Sequence, residues 1–239
     1  MGMERAVTNE AEGPAAQLRF QRAVSAEDPL SLLSALLTKA RTIWMQRTYP
    51  FAGFGRDVSI HYSCDIRRSA ASRIRIGNSV YIASGTWLNI PEPATGAPTA
   101  IILENGCKIG RRCMISAKNR VCLEENVLFG PSVLITDHSH EFSNPDMPIH
   151  AQGLTEGGTV LIGRNCWLGH GAAVICTSGE LSVGRNSIVG ANSVVTRSIP
   201  PFSVVIGNPA KIVRRYDPGS GEWIKSGSSP DATGGKLVL

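Results

Sequence analysis

Long apolar runs are missing from this 239-residue sequence. Nothing in it approaches the about 20 consecutive apolar residues that a membrane-spanning helix requires. The opening Met1-Gly2-Met3-Glu4-Arg5 carries charge with no apolar core behind it, so it does not read as a secretion signal. Aromatic residues are scarce, at 6%. Single-stranded nucleic-acid binding relies on stacking aromatics along a basic groove, so the formal charge of +5 is not read that way. An anionic small ligand fits better, because Arg197, Lys211, Arg214 and Arg215 gather late in the chain. Six cysteines are present but without a disulfide-framework spacing. They read as reduced, buried thiols, and the expected compartment is the cytoplasm.

What the sequence does have is a beat of six. An isoleucine, leucine or valine recurs at Ile162-Gly163, Leu168-Gly169 and Val174, then at Val183-Gly184, Val189-Gly190 and Val195. Upstream it runs through Ile76-Gly77 and Ile82-Ala83, then Leu103, Ile109-Gly110 and Ile115, then Leu123, Phe129-Gly130 and Ile135. Six matches neither the helical nor the strand period; it is the period of a parallel β-helix built from hexapeptides. The predicted fold class is therefore an all-β solenoid of about six triangular coils between Val58 and Pro200. The first position of each hexapeptide points inward. The fifth also turns inward with little room, which suits Cys64, Cys107, Cys113, Cys166, Ala172, Ser187 and Ser193. The small residue at the second position is expected to serve a corner with unusual dihedrals.

Four stretches follow. Residues 1–27 read as disordered, being polar and aperiodic. Residues 28–48 read as an amphipathic helix, opened by Asp28 as N-cap and Pro29 in the first turn. Leu33, Leu36, Leu37, Ala40, Ile43 and Trp44 share one face of it. That face is expected to cover the open first coil; alternatively, flanked by Lys39, Arg41 and Arg47, it makes weak contact with a membrane surface. Residues 49–206 form the solenoid, and 207–239 a C-terminal segment and tail. The beat stops after Ile135 and resumes at Ile162, leaving a long loop, 136–159, with His138, His140 and His150 among acidic neighbours. Long loops inside a compact fold are uncommon and often functional.

Val160-Leu161-Ile162-Gly163-Arg164-Asn165-Cys166-Trp167-Leu168-Gly169, Val189-Gly190-Ala191-Asn192-Ser193-Val194-Val195-Thr196-Arg197 and Gly207-Asn208-Pro209-Ala210-Lys211 resemble the hexapeptide-repeat acetyltransferases. Within them the chain is most similar to the maltose and galactoside group and to the O-acetyltransferases of exopolysaccharide and lipopolysaccharide synthesis. The resemblance implies a left-handed parallel β-helix, a homotrimer with active sites between subunits, acetyl-CoA as donor, a saccharide acceptor and no metal. It also implies that Val133-Leu134-Ile135-Thr136-Asp137-His138 ends in the catalytic base, His138. Strand geometry alone leaves His138 and His140 open, since both project to one side of an extended segment. His140 is otherwise an acceptor contact, and Asp137 or Glu141 an orienting carboxylate. Ser116, Asn119, Asp137 and His140 are thus the candidates around the acceptor. By position, Trp167, His170, Ala191, Thr196, Arg197, Lys211 and Arg214 line the donor channel. Two departures stand out: a histidine at 170, and Cys176-Thr177-Ser178-Gly179-Glu180 where the family has a shorter turn. Two other readings use the same prism, a zinc enzyme drawing on His138, His140 and His150 or His170, and a non-catalytic binding module.

Overall fold

The computed structural model describes residues 29–91 and 98–226. The stretch 1–27, the cap residue Asp28 and the end of the tail lie outside the described residues. One helix, α1 (Pro29–Thr48), precedes a parallel β-helix of triangular, left-handed coils. The first face stacks β1 (Gly53–Phe54), β4 (Ile74–Ile76), β7 (Ile101–Leu103), β10 (Arg120–Leu123), β13 (Gly157–Ile162) and β16 (Ser178–Val183). The second stacks β2 (Ser59–Ile60), β5 (Tyr81–Ile82), β8 (Lys108–Ile109), β11 (Leu128–Phe129), β14 (Trp167–Leu168), β17 (Ile188–Val189) and β19 (Ser203–Ile206). The third stacks β3 (Asp65–Ile66), β6 (Trp87–Asn89), β9 (Met114–Ser116), β12 (Leu134–Thr136), β15 (Ala173–Ile175) and β18 (Val194–Val195). Coil follows coil in parallel register, Ile115 against Ile135 and Ile135 against Val174, about 4.8 Å apart.

The six-residue beat is the interior. Ile60, Ile82, Ile109, Phe129, Leu168 and Val189 are buried in one column of first-position side chains on the second face. Each contributes about 1.5–3 kcal/mol of apolar burial, and only stacking makes that burial possible. Fifth-position residues are buried as expected and also serve as donors. The thiols of Cys64, Cys107 and Cys166 each lie 3.1 Å from a corner carbonyl of the next coil, those of Ala83, Glu124 and Gly184. Thr86 Oγ1 does the same to Gly110 at 2.9 Å. Small residues bearing an S–H or O–H therefore suit a position where a buried carbonyl needs a partner. Burial raises these thiols, Cys107 to about 12 and Cys64 and Cys166 to about 11, and all six cysteines are free.

The second-position glycines need a different explanation from the dihedral one. A Cβ on Gly110 would meet Gly130 O at 2.3 Å, and one on Gly184 would meet Pro201 N at 2.3 Å. Neither has a left-handed φ. What forces glycine there is the close approach of successive coils. The left-handed residues fall at the fourth position instead, as with Asn126, Asn165, Asn186 and Asn192 at φ 56–59°. Asparagine tolerates that region better than most residues with a side chain.

The helix is turned over relative to expectation. Leu33, Leu36, Leu37, Ile43 and Trp44 are exposed, Leu36 at 65%. The face against the first coil carries Thr38, Arg41, Thr42 and Met45 instead. The cause is the open strand edge, which needs hydrogen bonds more than grease. Thr42 Oγ1 accepts from Ile60 N at 3.0 Å and lies 3.1 Å from Ile60 O, while Arg41 Nη2 donates to Cys64 O at 2.8 Å. Met45, fully buried, plugs the end of the apolar column. At the other end the chain reverses: β20 (Lys211–Asp217) and β21 (Glu222–Lys225) add antiparallel to β19 and cover the last coil's second face. Tyr216 meets Trp223 edge-on there, with ring centroids 5.6 Å apart.

Candidate functional site

The largest excursion among the described residues leaves the corner between the third and first faces. It begins after β12 and returns at β13, so it spans 137–156, narrower than the sequence suggested. It is an ordered arm with its own hydrogen bonds. Thr155 N donates to Ser139 O at 2.9 Å, Glu141 N to Gly153 O at 3.0 Å, and His140 bridges Leu154. The Gln152 side chain ties Asn144 to Met147 across the tip. Backbone N–H groups of Phe142 and Ser143 hold the exposed Glu141 carboxyl below its ordinary range.

At the root of this arm Asp137 is completely buried. Its Oδ1 accepts from Lys118 N at 2.8 Å and faces His138 Nδ1 at 2.8 Å. Its Oδ2 accepts from Asn119 N at 2.8 Å and Arg120 N at 2.7 Å. Three of these four partners are backbone N–H donors. When Nδ1 supplies the hydrogen in its contact with this carboxylate, the lone pair of a neutral His138 lies on Nε2. That nitrogen looks toward Ser116 Oγ at 3.5 Å, a weak contact at the limit of hydrogen bonding. Ser116 Oγ in turn accepts from Asn89 Nδ2 at 2.9 Å. The His138 side chain is 9% exposed, so the ring is mostly shielded. Asn119 Nδ2 donates to Glu156 O at 2.9 Å, and the Lys118 ammonium to Thr155 O, fastening the arm's return strand.

Ser116, Asn119, Asp137 and His138 thus lie together. The Asp137 carboxylate has all four contacts within the protein, and the Asn119 amide nitrogen holds the arm. His140 sits on the arm, exposed, with its backbone bridged to Leu154. Two side chains escaped the sequence reading, Asn89 and Trp87. Among the described residues, Asn89 Oδ1 and Trp87 Nε1 are buried polar atoms without a hydrogen-bond partner, on the strand directly below Ser116. A signal for Asn89 existed. Asn89, Ser116, Thr136 and Thr196 each follow the inward residue of a third-face strand, so register alone stacks them in one column.

The remaining expected residues divide between two edges of the prism. Thr196 and Arg197 lie on the same edge as His138, two coils farther on and exposed. His170 and Ala191 occupy the corner between the second and third faces, stacked coil on coil. Trp167 is half-buried on the second face, and Lys211 and Arg214 lie on β20. Within one protomer the structure does not bring this second group to His138. The Cys176–Glu180 departure is absorbed without a loop. It lengthens β16, which pairs with β13 over six residues from Gly157 against Ser178 to Ile162 against Val183. Among the described residues no three His, Cys, Asp or Glu side chains form a group able to hold a metal ion.

No protein-family model matches the chain. WbbJ of Escherichia coli (strain K12), assigned as a lipopolysaccharide biosynthesis O-acetyl transferase, is 30% identical over 174 residues, covering 70% of this chain and 83% of WbbJ. YJL218W of Saccharomyces cerevisiae, assigned as an acetyltransferase, is 36% identical over 96 residues, 40% of this chain and 46% of that protein. Among solved structures, AntD, an N-acyltransferase from Bacillus cereus in complex with dTDP and 3-hydroxybutyryl-CoA, superposes with a TM-score of 0.54 at 18% identity, covering 70% of this chain and 84% of AntD. A point mutant of AntD in complex with dTDP and coenzyme A gives a TM-score of 0.59 at 17% identity, covering 72% and 88%. The repeat, the coil geometry and the length of the WbbJ match converge on one assignment: the chain belongs to the hexapeptide-repeat acetyltransferases.

Proposed function

We propose that the protein transfers an acetyl group from acetyl-CoA to a saccharide hydroxyl in the building of a surface polysaccharide, with His138 as general base. The observation that carries this reading is the fixed imidazole: Asp137 engages Nδ1, and Nε2 is left as acceptor beside Ser116 and Asn89. A sugar hydroxyl is barely ionised at neutral pH, so it needs its proton taken as it attacks. In the proposed step the acceptor oxygen bonds to the thioester carbonyl carbon while Nε2 takes the hydroxyl proton. The tetrahedral oxyanion collapses, the C–S bond breaks, and the CoA thiolate recovers the proton from the imidazolium. Asn89 Oδ1, a buried acceptor without a donor, suits an acceptor hydroxyl, with Ser116 beside it. Thr196, Arg197 and Lys211 are exposed and polar or cationic, as an anionic donor needs. Acetyl-CoA as donor is in keeping with the CoA and acyl-CoA bound in the AntD structures, and the polysaccharide setting with the designation of WbbJ.

The same reading makes the active unit a homotrimer. His138 and the corner of His170 and Ala191 occupy different edges of one prism, so a cleft containing both needs a second protomer. The arm also leaves Phe142, Met147 and Ile149 exposed, Phe142 at 70%, as suits a segment that packs on a neighbour. The test is acetyl-CoA thioester cleavage against a panel of nucleotide sugars, oligosaccharides and serine. His138→Ala is expected to lower turnover by about 10²–10⁴-fold with the assembly mass unchanged. Undiminished acceptor-dependent turnover in that variant removes His138 as the base.

A further inference from the structure

The inverted helix leaves an apolar face on which none of the described residues packs. Leu32, Leu33, Leu36, Leu37, Ile43 and Trp44 are between 38% and 65% exposed along α1. Because the opposite side of α1 seals the first coil, this face looks outward from the end of the stack, away from every strand. Its charge is one-sided. Residues 29–76, the helix and the first coil, hold eight Lys or Arg against two Asp, a surplus of six. The rest of the chain holds sixteen against seventeen. Within residues 29–76 Arg75 pairs with Glu104, whereas Lys39 and Arg47 on α1 and Arg67 and Arg68 just after β3 are exposed, and α1 has no acidic residue.

We propose that this end of the prism docks on an anionic phospholipid surface, with the outer face of α1 entering the headgroup region and the basic residues meeting lipid phosphates. Charge selects this occupant. A second copy packed face to face would set Lys39, Arg47, Arg67 and Arg68 of one molecule against the same cations of the other. An anionic bilayer supplies both an apolar interior and the opposite charge. Under the threefold assembly proposed above, with its axis along the stack, three such faces point the same way, and weak individual contacts add through multivalency.

Sedimentation of the full chain with vesicles tests this without reference to catalysis, so its outcome is independent of whether acetyl transfer is demonstrated. Binding is expected to phosphatidylcholine vesicles containing about 30% phosphatidylglycerol and to fall at least about tenfold in neutral phosphatidylcholine, weakening as salt rises. Leu36→Ser/Trp44→Ser and, separately, Arg67→Glu/Arg68→Glu should each reduce binding about tenfold or more, with unchanged circular dichroism and solution mass. Absence of binding to anionic vesicles overturns the proposal. So does a fall in solution mass in the Leu36→Ser/Trp44→Ser variant, which identifies another protomer as the occupant, and so does vesicle binding that both variants retain.

Discussion

Replacing Asp137 by asparagine tests the logic of the site most sharply, because it changes one heavy atom and keeps the shape. The carboxylate holds Lys118 N and His138 Nδ1 on one oxygen and Asn119 N and Arg120 N on the other. An amide can keep its oxygen toward only one of these pairs. Placed toward Asn119 and Arg120, its NH₂ group confronts the Lys118 N–H, donor against donor. One buried N–H left unsatisfied costs about 1–3 kcal/mol, and two charge-assisted bonds made neutral cost about 1 kcal/mol each. The sum is about 3–5 kcal/mol, which for a chain of this size lowers Tm by about 6–20 °C. The same NH₂ turns His138 over to the other tautomer: Nδ1 becomes the acceptor, Nε2 carries the hydrogen, and no base faces the acceptor. Turnover should fall by about 10²–10⁴-fold at saturating substrates, well below the melting transition. A merely structural role would lower the folded fraction and leave the imidazole alone, so nitrogen chemical shifts of His138 provide the separating readout. Wild type should show hydrogen on Nδ1 and the variant hydrogen on Nε2. If the folded Asp137→Asn protein keeps its kcat within about threefold, or its tautomer does not change, the carboxylate does not set the base.

Two further predictions address the scaffold. Gly110→Ala should destabilise the chain by about 3 kcal/mol or more in urea unfolding, because its Cβ meets Gly130 O at 2.3 Å, whereas Asn192→Gly, at φ 56°, should cost less than about 1 kcal/mol. Equal costs would mean that glycine is chosen for its dihedrals after all. Cys64, Cys107, Cys113 and Cys166 should resist alkylation at pH 8 in the native state, since burial raises all four thiols; half-exposed Cys122, also raised, should react slowly, and all should react after denaturation. Rapid native labelling of Cys107 would contradict its place inside the coil.

The solenoid was legible because its driving force is local and periodic. An Ile, Leu or Val every sixth residue can be buried only by stacking, and Ile60, Ile109 and Val189 are buried accordingly. The excursion was legible as a gap in that rhythm. What sequence could not display was hydrogen-bond demand. The helix packs its threonines and Arg41 inward because a bare strand edge requires donors and acceptors, a requirement invisible in an apolar pattern. Glycine at the second position was visible, but its cause, the approach of the next coil, belongs to the third dimension. At the site, Asp137 and His138 are neighbours in sequence, yet the three backbone N–H groups that fix Asp137 come from the turn at 118–120, one coil earlier. Asn89 was discoverable from register, since it stands one strand below Ser116.

The arm leaves and rejoins the stack without disturbing it. Thr136 still pairs with Ser116 and Ile175, and Arg120 with Thr159. Since the ladder is complete with or without what lies between, residues 139–154 are released from the demands of folding. Selection is free to rewrite that stretch, residue by residue or wholesale, while the imidazole at its base stays where it is.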